Sequence, residues 1–183
     1  MDVVIRPARA HEVAGLPEVE RDGDRRYRGY DGVPAGFDDT VAAATLEKAG
    51  EEGRLWVAAV TPGTVGEGGT DDAAILGFAL AEVVDGQAHL AQLSVRFDAQ
   101  GRGVGRRLVD AVLSWAADGG LDRVTLCTFG DVAWNRPLYE HLGFVVLPAE
   151  RWTPGLRDLF EADGELGLDL SRRVVMVRTV LAP

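Results

Sequence analysis

The chain has 183 residues, enough for one domain with a sizeable core, and 46% hydrophobic with 26% charged residues excludes wholesale disorder. A formal net charge of −10 argues against nucleic acid or an anionic membrane as main partner, since both are bound chiefly through excess Lys and Arg, and it leaves room for a cationic ligand. Cys127 is the single cysteine, so no intrachain disulfide is expected; with no signal-peptide pattern over residues 1–7 and no apolar run of membrane-spanning length, the expected setting is the cytoplasm.

Residues 3–6 read as a first strand ended by Pro7. Val13, Leu16 and Val19 then recur at helical spacing over residues 10–20, although Pro17 interrupts them. Residues 21–38, rich in Gly, Asp and Arg, read as a loop, and Asp38-Asp39-Thr40 marks the start of a second helix through Lys48. Residues 54–60 and 75–84 are apolar and β-prone, joined by a Gly- and Thr-rich run over 61–72 that is expected to be a flexible connection. Asp85-Gly86 between residues 75–84 and the next apolar run, 87–95, is a hairpin signal. A helix follows over 103–117 with Val104, Leu108, Val112 and Trp115 on one stripe, stopped by Gly119-Gly120. Residues 123–127 read as a strand, 135–142 as a short helix ended by Gly143, and 144–147 and 173–181 as strands, the last expected at an exposed sheet edge that would make a homodimer an alternative to a monomer. The sum is a single domain, 1–183, of mixed α/β class with helices packed on a central sheet.

Residues 93–106 carry the chemistry. A strand ends, a glycine-rich turn follows, and a helix begins. Glycines let such a backbone take positive φ and approach a ligand, while the unpaired amides of the helix start point outward at the positive end of the dipole, an arrangement that suits phosphate. A dinucleotide fingerprint G-x-G-x-x-G, begun at Gly101 and Gly103, would need glycine where Arg106 stands, and a Walker A loop needs a lysine that is absent.

The turn fits Q-x-x-G-x-G at Gln100, Gly103 and Gly105, and in this it resembles the pyrophosphate loop of the general N-acetyltransferase (GNAT) superfamily. Leu138-Tyr139-Glu140-His141-Leu142-Gly143-Phe144, a helix and a strand downstream, is similar to that family's LYEKLGF signature. The resemblance spans roughly residues 88–147. It implies a mostly antiparallel sheet of about seven strands, splayed between the fourth and fifth, with helices on both faces. It also implies acetyl-CoA as co-substrate, with no metal: Leu93, Ser94 and Val95 pairing with pantetheine and polarising the thioester, and the amides of Gly101, Arg102, Gly103, Val104, Gly105 and Arg106 taking the pyrophosphate. Tyr139 is then the candidate general acid for the departing thiolate. His89, at the position where some relatives carry a catalytic carboxylate, is the candidate base.

Other residues carry two readings each. Val132 stands where the family pattern has asparagine, so Asn135, four residues before Tyr139, is either a cofactor contact or the N-cap of its helix. Cys127 reads as a small buried hydrophobe rather than a nucleophile. Trp134 and Trp152 read as packing residues or as walls of an acceptor pocket. Carboxylates at Glu18, Glu20, Asp22 and Asp24, and at Glu161, Asp163 and Glu165, read as solvated faces or as recognition of a cationic amine, because in the family the first helices and the C-terminal segment flank the acceptor. The expected activity is transfer of acetyl to a primary amine of a small molecule by direct attack. The alternatives are a non-catalytic acyl-CoA sensor or scaffold, and a protein or peptide N-acetyltransferase.

Overall fold

Among the described residues seven strands, β1 (Val3–Pro7), β2 (Leu55–Val60), β3 (Ile75–Val84), β4 (Gln87–Val95), β5 (Arg123–Phe129), β6 (Val145–Val146) and β7 (Arg173–Thr179), form one sheet in the order β1-β2-β3-β4-β5-β7-β6. The computed structural model describes residues 2–60 and 73–180, so the connection expected over 61–72 lies outside the described residues. Pairing is antiparallel at β1–β2, β2–β3, β5–β7 and β6–β7, and parallel at β4–β5. The parallel register runs from Ala88↔Val124 to Leu90↔Leu126. Among the described residues no helix is long and apolar enough to cross a membrane.

The chain divides into two compact units. The first holds Met1–Arg26, Thr40–Leu80 and Gln92–Val112. Its core joins Leu16 and Val19 of helix α1 (Leu16–Asp24), Leu46 and Ala49 of α2 (Ala43–Glu51), and Leu55, Val57, Phe78 and Leu80 of the sheet. Each of the Leu, Val and Phe side chains among these is worth about 1.5–3 kcal/mol in apolar burial. Pro17 does not break the helix. Residues 10–15 form a 3-10 turn and α1 starts at Leu16, so the proline sits in its first turn, where a missing N–H costs nothing. α1 also runs four residues into the expected loop, to Asp24, because its buried face continues through Glu20 and Gly23, which hydropathy alone does not mark. The second helix starts later than expected, at Ala43.

Gly77 of β3 lies so close to β4 that an added Cβ would stand 2.6 Å from the Ser94 carbonyl oxygen. Backbone cannot yield as a flexible side chain does. Gly77→Ala is therefore expected to cost about 1–3 kcal/mol, read as a lower urea midpoint.

The second unit holds Tyr27–Asp39, Ala81–Ala91 and Leu113–Pro183. Asp85 (φ +50°) and Gly86 (φ +77°) both take the left-handed region, the geometry of a two-residue hairpin turn. The C-terminal strand is not at an edge. β7 pairs with β5 over seven positions from Arg123↔Thr179 to Phe129↔Arg173, and its other side takes β6, so the two-residue β6 is the edge. A helix that the sequence reading left out, α5 (Pro154–Glu165), begins with proline in its first turn and packs Leu156 and Phe160 with Cys127, Leu147, Trp152, Val175 and Val177.

Candidate active site

The second half of β4 and the turn after it belong to the first unit. Leu93 and Val95 share one side of the strand: a Cβ added to Gly105, in the first turn of α3 (Val104–Asp118), would meet both within ordinary contact distance, 3.7 and 3.8 Å. Ser94 and Gln92 point the other way, toward α1, where Gln92 Nε2 donates to Glu20 Oε1 at 2.6 Å and to Ser94 Oγ at 3.0 Å. Glu20, only 4% exposed, also accepts from the Val41 amide at 3.1 Å.

The turn itself is open. Gly101 (φ +74°) and Gly103 (φ +79°) need the freedom of glycine for their backbone and not for space, since a Cβ on either would meet nothing within 4 Å. The first intrahelical bond of α3 runs from the Arg107 amide to the Gly103 carbonyl at 3.2 Å. Among the described residues the amides of Gly101, Arg102, Gly103, Val104, Gly105 and Arg106 are not taken by another backbone group beyond this unit's regular pairing, and α3 has fifteen residues behind its positive end. Gln100 plays a different part from the one its place in the motif suggests. Its Nε2 donates to the carbonyls of Val95 (2.9 Å) and Gly23 (3.1 Å), and its Oε1 accepts from Arg26 Nη1 (3.1 Å), so the side chain braces the turn against the end of α1.

Tyr139 belongs to the second unit, on α4 (Arg136–His141). Its ring meets Phe144 edge-on at 5.8 Å, and its hydroxyl makes no hydrogen bond among the described residues. Burial, and after it the neighbouring Tyr27, raise its pKa, so the phenol stays protonated. Asn135 occupies the N-cap position of α4 but caps nothing with its side chain. It pairs instead with Tyr27, whose hydroxyl donates to Oδ1 at 3.1 Å and lies 2.7 Å from Nδ2. Tyr27 was not singled out from sequence; its ring meets the nearby Tyr30 (6.3 Å) and, from more than a hundred positions away, Phe129 (5.8 Å) and Trp134 (6.2 Å). Trp152 packs against Phe160, with ring centroids 4.6 Å apart and planes tilted by 51°, and donates Nε1 to the Leu147 carbonyl at 2.8 Å. Burial pushes the Cys127 thiol up to about 12, which leaves it protonated and unreactive.

His89 is 4% exposed and its Nδ1 lies 2.8 Å from Thr125 Oγ1. That hydroxyl donates its one proton to the Ala88 carbonyl at 3.2 Å, so Nδ1 must carry the hydrogen and Nε2 the lone pair. Burial, with Arg173 secondary, lowers the imidazole from 6.5 to about 4. The unfolded chain thus binds a proton between pH 6.5 and 4 that the folded chain does not, and stability falls as pH drops through that window. His89→Gln is expected to remove a dependence on the order of 3 kcal/mol, read from urea midpoints at pH 7 and pH 4.

Comparisons with known proteins bear on the family and the fold. The sequence pattern of the Acetyltransferase (GNAT) family matches residues 26–144. Over 52 residues the chain is 50% identical to mycothiol acetyltransferase of Beutenbergia cavernae, a match covering 28% of this chain and 18% of that one. The PaiA N-acetyltransferase of Thermoplasma acidophilum, solved with coenzyme A, superposes with a TM-score of 0.69 at 14% identity over 98% of this chain and 99% of that one. N-acetylglutamate synthase of Neisseria gonorrhoeae, solved with coenzyme A and N-acetyl-glutamate, gives 0.71 at 16% identity over 99% of this chain and 36% of that one. The ribosomal-protein-S18-alanine N-acetyltransferase of Escherichia coli gives 0.63 at 16% identity over 100% and 96%. At these identities the structures speak for the fold.

Proposed function

The chain belongs to the acetyltransferase (GNAT) family, and from that premise we propose that it moves the acetyl group of acetyl-CoA onto a primary amine of a small molecule by direct attack. The observation that carries this reading is the row of amides from Gly101 to Arg106 at the mouth of α3, with positive φ at Gly101 and Gly103. A diphosphate placed there gains several N–H donors and the positive end of the dipole at once. Along β4, the register with β5 ends at Leu90, so Leu93, Ser94 and Val95 are the residues whose backbone would pair with pantetheine and polarise the thioester carbonyl. Amides fixed in place before the reaction stabilise the oxyanion without reorganising. Tyr139, protonated and with a hydroxyl that makes no hydrogen bond among the described residues, is the acid that protonates the leaving thiolate. Holding thioester and amine together makes the bimolecular step local.

A small-molecule acceptor is supported by the identity to an acetyltransferase named for mycothiol, and a cationic one by the net charge of −10. Calorimetry with CoA, followed by thiol release from acetyl-CoA with amino acids, polyamines, aminoglycosides and short peptides, tests it. Saturable CoA binding with turnover on one of the small amines is the expected result. CoA binding with no turnover would make the chain a sensor, turnover on peptides alone would make it a peptide acetyltransferase, and no CoA binding removes the assignment.

A further inference from the structure

The carboxylate cluster at the end of α1 resolves, in the structure, into residues with different occupations. Asp22 Oδ1 accepts from Arg25 Nη1 at 2.9 Å and its Oδ2 from the Phe97 amide at 2.9 Å. Glu20 is held by Gln92 and Val41. Asp24 alone of the three is half-buried with no hydrogen bond or ion pair among the described residues. It follows Glu20 by four residues and so lies on the same face of α1, the face that meets β4. The residue before it, Gly23, touches the end of that strand: an added Cβ would stand 2.7 Å from the Val95 carbonyl oxygen. Gln100 ties the carbonyls of Gly23 and Val95 together. Asp24 thus follows directly on a residue whose backbone lies against the end of Gln92–Val95, the stretch expected to carry the thioester.

Resting on the acetyltransferase reading of this site, we infer that Asp24 is the general base, taking a proton from the acceptor's ammonium group beside the thioester. The freed nitrogen lone pair attacks the thioester carbon, the carbon–sulfur bond breaks as the oxyanion collapses, and the amide forms. Two protons leave nitrogen: one goes to solvent by way of Asp24, and the other balances the proton that Tyr139 gives to the CoA sulfur. The step consumes ammonium and acetyl-CoA and yields amide, CoA thiol and one proton.

The electrostatics fit this role. Burial raises Asp24 from 3.8 to about 6, and no neighbouring charge enters as a cause. The charged groups around it are occupied: Arg25 with Asp22, Arg26 with Gln100, Arg96 Nε with the Ile75 carbonyl at 2.9 Å, Glu20 with Gln92, and Arg21 on the exposed side of α1. A carboxylate of that basicity is ionised at neutral pH and still accepts a proton far more readily than a surface aspartate. His89, neutral but lowered to about 4 and buried against Thr125, is the weaker base of the two.

The test is a pH–rate profile of thiol release from acetyl-CoA, with the amine panel and with water alone as acceptor, for wild type, Asp24→Asn and His89→Gln, alongside CoA calorimetry. The expected wild-type profile has an acidic limb near pH 6; Asp24→Asn loses that limb and about 100-fold of the rate at pH 7 while CoA affinity stays within about twofold. Asp24→Asn should also gain in Tm over wild type as pH rises from 4 to 7, because only the wild type must bury a charge, and this readout needs no acceptor. Wild-type CoA binding with turnover and a limb unaltered in Asp24→Asn overturns the assignment of the base alone. A limb near pH 4 that vanishes in His89→Gln transfers the role to His89. A Tm difference flat with pH also overturns it, while failure of CoA to bind wild type sinks the acetyltransferase reading itself.

Discussion

Replacing Tyr139 with phenylalanine is expected to lower kcat by about 100-fold or more and to leave the CoA dissociation constant within about twofold of wild type. The two effects separate because ring and hydroxyl do different things. The ring packs edge-on against Phe144 at 5.8 Å, and phenylalanine keeps that contact. The hydroxyl bonds to nothing among the described residues, so its loss strands no partner, and stability should change by no more than about 0.5 kcal/mol. What disappears is a proton held on oxygen by burial, beside an expected leaving thiolate. A departing thiolate of ordinary basicity, roughly pKa 8.5, leaves poorly without that proton when the rival leaving group is the amine that has just added. Single-turnover thiol release is the measurement to make, since a steady state limited by product release would hide the loss. Unchanged single-turnover rates would remove the tyrosine from the chemistry; a large loss of CoA affinity would recast it as a cofactor wall.

Local signals in the sequence were legible because their physics is local. Asp85-Gly86 gives a turn with two positive φ values, Gly120 (φ +68°) and Gly143 (φ +83°) end helices, and the glycines at 101 and 103 open the turn before α3, each a property of one or two residues. The length of α1 was not legible, because the residues that continue its buried face are a glutamate and a glycine whose burial depends on Gln92 and Val95. The pairing of Tyr27 with Asn135 spans 108 positions and leaves no spacing to read. The side-chain bonds of Gln100 were not legible either, since what it grips is backbone from Gly23 and Val95. The place of β7 inside the sheet was not legible, because strand order depends on which side of β5 is left for it and where the short β6 pairs. His89 was readable as a titrating residue by type, but its burial and its bond to Thr125 belong to the fold.

Gly103→Val is expected to raise the CoA dissociation constant by about 100-fold, equivalent to about 2.7 kcal/mol, with a much smaller effect on folding. The φ of +79° is the whole constraint, because no atom lies within 4 Å of where the new Cβ would stand. A β-branched residue held there is strained by about 1–2 kcal/mol, and an exposed turn can shed much of that strain by shifting, so the urea midpoint should move little. The shift that relieves the strain turns the peptide planes on either side of residue 103, and these carry the amides of Gly103 and Val104 that are proposed to hold the diphosphate. Donors misaligned by tens of degrees lose most of a charge-assisted hydrogen bond. Dissecting the ligand localises the effect: inorganic pyrophosphate should compete with CoA in wild type and fail to do so in Gly103→Val, while pantetheine affinity stays as it was. Equal CoA affinity in the two proteins would mean that the amides at the head of α3 do not hold the diphosphate, and pantetheine weakened in step with CoA would mean that the substitution had disturbed β4 rather than the turn.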